Sequence, residues 1–87
     1  MSNTITQERI DYLIDTATIE VKTVFDKCTV VALKTVDGFV IVESSACVDA
    51  VNYNEEIGKQ ICMERIKNKL WELEGYKLQL SRSGLNK

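Results

Sequence analysis

The chain predicts an α+β domain: a short N-terminal helix, an antiparallel three-stranded meander, a long amphipathic helix and a short C-terminal strand. Three observations carry that prediction. Between Thr18 and Ser44 the side-chain pattern has a period of two, with Asp37-Gly38 punctuating it. From Glu55 to Leu73 the apolar residues return at helical spacing, and Gly75 follows closely. No proline occurs anywhere to interrupt either run.

The first helix opens at Thr4, where Gln7 stands three positions on and completes a capping box that satisfies first-turn amides. Ile10, Leu13, Ile14 and Ala17 share one face, with Glu8, Arg9, Asp11 and Asp15 outside it, and the helix is expected to end near Asp15. From Thr18, Ile19, Val21, Thr23 and Phe25 alternate with Glu20 and Lys22, the signature of a half-buried strand. Asp26-Lys27 supplies a turn. Cys28–Val36 and Phe39–Ser44 then flank Asp37-Gly38, two residues that tolerate the positive φ of a type I′ hairpin turn. A two-residue turn there sets Thr35 opposite Val40, Leu33 opposite Val42 and Val31 opposite Ser44. Val31, Leu33, Val40 and Val42 become the core layer. The reverse face then holds Val30, Ala32, Val36, Phe39 and Ile41 beside Lys34 and Glu43, more apolar than a solvent face needs, so a further element or a second copy is expected to cover it.

The second helix is expected to be capped by Asn52, with Glu55 three positions later and Glu56 beside it favouring the positive helix start. Ile57, Ile61, Cys62, Ile66, Leu70 and Leu73 form its apolar stripe, and Gly75 ends it in left-handed geometry. Gly58 stands one turn inside, where glycine costs about 1 kcal/mol relative to alanine. Close packing of the helix on a strand would explain it. Tyr76, Leu78 and Leu80 alternate with Lys77 and Gln79 as a last strand, and residues 83–87 are expected to fray.

Composition limits the classes open to the chain. Its 87 residues make one domain, 1–87, with an ordered core over about 5–80. Apolar residues at 45% and charged residues at 28% exclude a disordered polyelectrolyte. No apolar run reaches the roughly 18 residues that span a bilayer, and MSNTITQERI has no secretory pattern, so no membrane partner is expected. Cys28, Cys47 and Cys62 are odd in number and lack CxxC spacing, which favours free thiols in a reducing cytoplasm. With no histidine and no ligand-like spacing, neither a metal nor a cofactor is expected. The net charge of −2 hides an asymmetry: through Gly58 the chain holds four basic and ten acidic residues, and beyond it seven and three. Lys59, Lys67, Lys69 and Arg82 would make a nucleic-acid surface only if they shared one exposed face.

The bend from Ser44 to Asp49, running into a helix start, is the candidate site. Converging amides there, with Ser44, Ser45 and Asn52, resemble an anion cradle, but Asp49, Glu55 and Glu56 place negative charge in the same spot. The plainer reading is a loop whose polar groups cap the helix. Cys47 beside Asp49 has the look of a nucleophile, yet aspartate is a poor base for a thiol of ordinary pKa about 8.5, and a structural cysteine is the expectation. The chain is therefore read as non-enzymatic. Tyr53, Arg65, Lys69, Trp71 and Tyr76 complete the candidate binding residues; Trp71 with Tyr76 and Arg65 would form a stacking platform unless Trp71 lies in the core.

Gly38-Phe39, the segment Glu43 to Gly58 and the segment Lys69 to Leu78 resemble a family of small tailed-phage proteins named for gene product 49 and gene 66. That family's pattern has a "GF.V" hairpin return, "ESACVD..N(F/Y)(D/N).EIG" and "K(I/L)W.LEGY.L". The likeness covers roughly residues 5–80; an extra serine at Ser44 or Ser45, and Ala50 where proline is common, depart from it. The resemblance implies a phage accessory protein acting in the infected host's cytoplasm, and it carries context and no activity. The expectation built on it is stoichiometric binding in counter-defence, against a host defence protein or a cyclic nucleotide signal, by a chain that forms a homo-oligomer. The alternatives are a nucleic-acid-associated host-takeover protein using the basic C-terminal third, or a minor virion component.

Overall fold

The computed structural model describes residues 5–83. Its elements are α1 (Gln7–Asp15), β1 (Thr18–Val24), β2 (Cys28–Lys34), β3 (Val40–Ala46), a single 3₁₀ turn (Ala50–Asn52) and α2 (Glu55–Ser83). The strands form one antiparallel sheet in the order β1-β2-β3, so the expected meander is present. Both helices lie on one side of it. Ile10 and Leu13 of α1, Val31, Leu33 and Ile41 of the sheet, and Cys62, Ile66 and Leu70 of α2 make the buried core.

Local chemistry explains where each element begins. Thr6, not Thr4, caps α1: its hydroxyl accepts from the Arg9 amide at 3.1 Å, while Gln7 donates to Asp11 instead of reaching back. Thr4 lies outside the described residues. Asn54, not Asn52, caps α2, accepting from the Ile57 amide at 3.2 Å, because Asn52 is already taken up in the 3₁₀ turn.

The hairpin between β2 and β3 corrects the expected register. The Gly38 amide donates to the Thr35 carbonyl (2.9 Å) and the Thr35 amide to the Phe39 carbonyl (2.8 Å), with Gly38 alone at positive φ, 96°. This is a three-residue loop with glycine in the left-handed position, rather than a two-residue type I′ turn. Lys34 therefore pairs with Val40, Leu33 with Ile41 and Val31 with Glu43. A slip of one residue exchanges the faces of a strand. Ile41 enters the core, and Val40 and Val42, expected inside, stay 53% and 57% exposed.

Residues 76–80 form no strand, and α2 does not end at Gly75. It runs through to Ser83, 29 residues in all. Leu78 stands seven positions after Trp71 and Leu80 seven after Leu73, a helical spacing that coexists with the alternation. A continuing helix satisfies its own backbone, whereas a strand would need a free sheet edge within reach.

The helix meets the sheet most closely at Gly58. A Cβ built there would lie 2.1 Å from the Thr29 hydroxyl and 2.8 Å from the Thr29 Cβ. Thr29 is β-branched, fully buried and stiff, so it cannot move aside. Gly58→Ala should cost about 3 kcal/mol through overpacking, exceeding the roughly 1 kcal/mol gained in helix propensity. Gly75 has no such neighbour, and Gly75→Ala should stabilise the fold by about 0.5–1 kcal/mol. Paired urea melts test both; equal shifts of one sign would refute the contrast.

Candidate functional site

The segment Cys47–Asn54, between β3 and α2, is held by a set of hydrogen bonds to its own backbone and to the β1–β2 turn. The Cys47 amide donates to the Lys27 carbonyl (2.8 Å), and the Lys27 ammonium reaches the Val48 carbonyl (3.4 Å). Asp49 caps the 3₁₀ turn, its carboxylate accepting from the Val51 amide at 3.0 Å, and the Asn52 amide donates to the Asp49 carbonyl. The Cys47 thiol points at the Asn52 carbonyl, 3.9 Å away. Cys47 and Asp49 thus serve the loop's own backbone, the plainer of the two sequence readings.

Tyr53 anchors the loop to the sheet. Its phenol lies 2.6 Å from the Thr29 hydroxyl and 2.8 Å from the Thr23 hydroxyl, and Thr23 also donates to the Glu55 carboxylate. An ionised carboxylate only accepts, so the direction of every proton follows. Thr23 donates to Glu55, Tyr53 to Thr23 and Thr29 to Tyr53. The sequence reading missed Thr23, Thr29 and Glu55 as members of this chain. A signal was present: both threonines occupy inward positions in the alternation, where a hydroxyl needs a partner once buried.

The remaining candidates fall into separate places. Ser45, Cys47, Asn52 and Tyr53 line one cleft of about 60 Å³, closed by Ile57 and Ile61. That holds a few waters and is far below the roughly 300 Å³ of an organic-ligand pocket. Arg65 extends from α2 to the Ser44 carbonyl at 2.7 Å. The pairing explains why that carbonyl is free. Odd-numbered residues of β3 bond to β2, as the Thr35–Phe39 and Cys47–Lys27 bonds at the two ends require, so even-numbered ones turn outward. Lys69 is 4.0 Å from Glu43, a half-exposed pair of small energetic worth.

Trp71 packs against the core, and Tyr76 is 65% exposed. Five positions on a helix turn the side chain by about 140°, so no platform forms with Tyr76. Arg65, six positions before Trp71, points about 120° away from it. Nor do the cations share a face. Lys59 and Lys67 line a cleft of about 380 Å³ against Asp11 and Asp15 of α1, while Lys69 stands on the β3 side of α2. Among the described residues no three His, Cys, Asp or Glu side chains converge as metal ligands, and no helix is long and apolar enough to cross a membrane.

What the site does expose is apolar. Val48 and Val51 stand almost wholly in solvent, and Ile57 and Ile61, counted in the helix stripe by sequence, remain on its uncovered flank, while Leu73 lies part-exposed beside the hairpin with Phe39 and Ile41. The buried stripe is the narrower Gly58, Cys62, Ile66 and Leu70.

With that geometry established, comparison with known proteins places the chain. A family-wide profile for the phage protein (N4 Gp49/phage Sf6 gene 66) family matches residues 5–81. The chain belongs to that family. The match spans all three strands and nearly all of α2, so the resemblance seen in the hairpin, the cysteine-bearing bend and the tryptophan segment extends over the fold. No curated protein and no solved structure matches it.

Two measurements test the site's structural assignments. Tyr53→Phe leaves the buried Thr29 hydroxyl without its acceptor and should cost about 1–2 kcal/mol in a urea melt; an unchanged midpoint would remove Tyr53 as the anchor. Burial pushes the Cys62 thiol up, with Arg65 pulling against the shift. Its folded pKa thus lies above its unfolded one, so the stability it confers is complete below the unfolded pKa and falls as pH rises through the folded value. The wild type should lose more stability than Cys62→Ala between pH 8 and pH 10.5, a window around the ordinary thiol pKa of about 8.5. Parallel profiles would rule out the effect.

Proposed function

We propose that this phage-family protein acts by stoichiometric binding and not by catalysis, occupying a host defence protein in the cytoplasm of the infected bacterium. One observation carries the reading. The bend and the adjoining flank of α2 present Val48, Val51, Ile57 and Ile61 to solvent around a polar rim that includes Asn52 and Arg65. An apolar centre with a hydrogen-bonding rim is the anatomy of a protein–protein contact. Meanwhile the groups that a reaction would need, the Cys47 thiol and the Asp49 and Glu55 carboxylates, are engaged in holding backbone and hydroxyls. The three free thiols suit a reducing compartment.

A cyclic nucleotide is the less favoured target. The cleft at the bend is small, and the two cations on this flank already serve Ser44 and Glu43. A nucleic-acid role would require the lysines to converge, and they lie on opposite flanks of α2.

Native mass spectrometry of tagged protein recovered from infected cells tests the proposal. The expected result is a defined complex with one host protein, weakened at least about tenfold by Ile61→Glu, since an apolar anchor contributes about 2 kcal/mol or more. Recovery of the chain with a bound cyclic nucleotide, or host-protein binding indifferent to both Ile61→Glu and Val51→Asp, would defeat it.

A further inference from the structure

The face of the sheet turned away from the helices is uncovered among the described residues, and it is not an ordinary solvent face. Its two middle rows, read from β1 to β3, are Glu20–Ala32–Val42 and Lys22–Val30–Ser44. β1 contributes charge, β2 contributes only aliphatic side chains, and β3 adds the exposed Val42. An antiparallel sheet with one wet face normally alternates apolar with polar. Here the middle of the central strand is apolar on both faces: Val31 and Leu33 point to the core, Val30 and Ala32 away from it, with the exposed Lys34 at the strand's end on the outer face.

We propose that this face is the contact between two copies of the chain, packed sheet against sheet about a twofold axis lying across the strands midway between those two rows. Charge decides the geometry. A face-to-face dimer needs its axis in the plane between the sheets, and that axis runs either along the strands or across them. Along the strands, β1 covers the partner's β3, and Glu20 and Lys22 meet valine and serine with no countercharge. Across the strands, β1 covers the partner's β1 in the opposite direction. Glu20 then meets the partner's Lys22, and symmetry makes the same pair twice. Moving the axis onto either row would set Glu20 on the partner's Glu20 or Lys22 on the partner's Lys22, and moving it further would leave one of the two charges facing an uncharged residue, so the register is fixed as well. In that register Val30 lies on the partner's Ala32, a large residue against a small one. Packed sheets stand about 10 Å apart, which these side chains fill.

Size sets the strength. Three seven-residue strands at about 3.3 Å per residue and about 4.8 Å spacing cover roughly 23 by 14 Å in plan. That footprint, roughly 320 Å² in plan, is less than half of the about 800 Å² per partner that a standard specific interface buries, and belongs with weak, transient contacts. The dimer is accordingly a weak, dissociable one, populated toward the upper, sub-millimolar end of the concentration range. This inference goes beyond the binding role proposed above and uses a different surface; the bend and the α2 flank remain open in the dimer.

Sedimentation equilibrium of the full chain, from micromolar to sub-millimolar concentration, should show reversible monomer–dimer exchange. Glu20→Lys alone and Lys22→Glu alone should each weaken it about tenfold or more by setting like charges opposite one another. The exchanged double variant should return it to near the wild-type value. Both positions are exposed at an outer strand, so circular dichroism should report an unchanged fold. Val42→Lys should leave the monomer folded and abolish the dimer. A monomer at every concentration, a higher oligomer, or a dimer untouched by the charge exchange would overturn the proposal. So would a foreign protein that binds the monomer through Val42, which would assign the face to that protein.

Discussion

The fold depends on how closely α2 can approach β2. Gly58 removes the one side chain that would hold the helix off the strand, and Thr29 fills the space from below. That contact sets the depth at which Cys62, Ile66 and Leu70, each one turn further along, enter the core. It also places the helix start over the sheet where Glu55 can receive the Thr23 hydroxyl and Tyr53 can reach both threonines. The bend is therefore not an independent loop. It is held between a close backbone approach on one side and a directional chain of hydroxyls on the other, and its exposed valines are carried on that anchored segment.

Much of this was legible in the sequence, and the errors have a common physical origin. The strands were readable because β1 alternates cleanly, and Gly58 was readable as a packing glycine because nothing else justifies one inside a helix. The register of β3 was not. Val40, Ile41 and Val42 are apolar in succession, so the pattern fits the core in either phase and cannot choose between them. Asp37-Gly38 serves a two-residue or a three-residue loop, and only the Thr35–Phe39 closure distinguishes them. The end of α2 was misread for a related reason: Tyr76 to Leu80 satisfies both periods, and Gly75, a common stop signal, lies in the helix interior without a packing role.

The candidate site was half legible. Ser45, Cys47, Asn52 and Tyr53 line one cleft, while the Cys47 thiol faces a backbone carbonyl and the Asp49 carboxylate accepts from a backbone amide, pairings that spacing alone does not reveal. Trp71, Tyr76 and Arg65 were grouped by residue type, and helical geometry separates them. Family membership adds a phage context to this description; the chemistry of the surface supplies the rest.

The length of α2 has a hydrodynamic consequence. Its last buried residue is Leu70, yet the helix continues for more than three further turns, and the molecule measures 52 × 21 × 20 Å with a radius of gyration of 15.6 Å. A compact chain of this size would have a radius near 12 Å. Such a rod tumbles with extra friction and leaves a gel-filtration column ahead of a sphere of equal mass. Elution volume alone would make a single copy of this protein look heavier than it is.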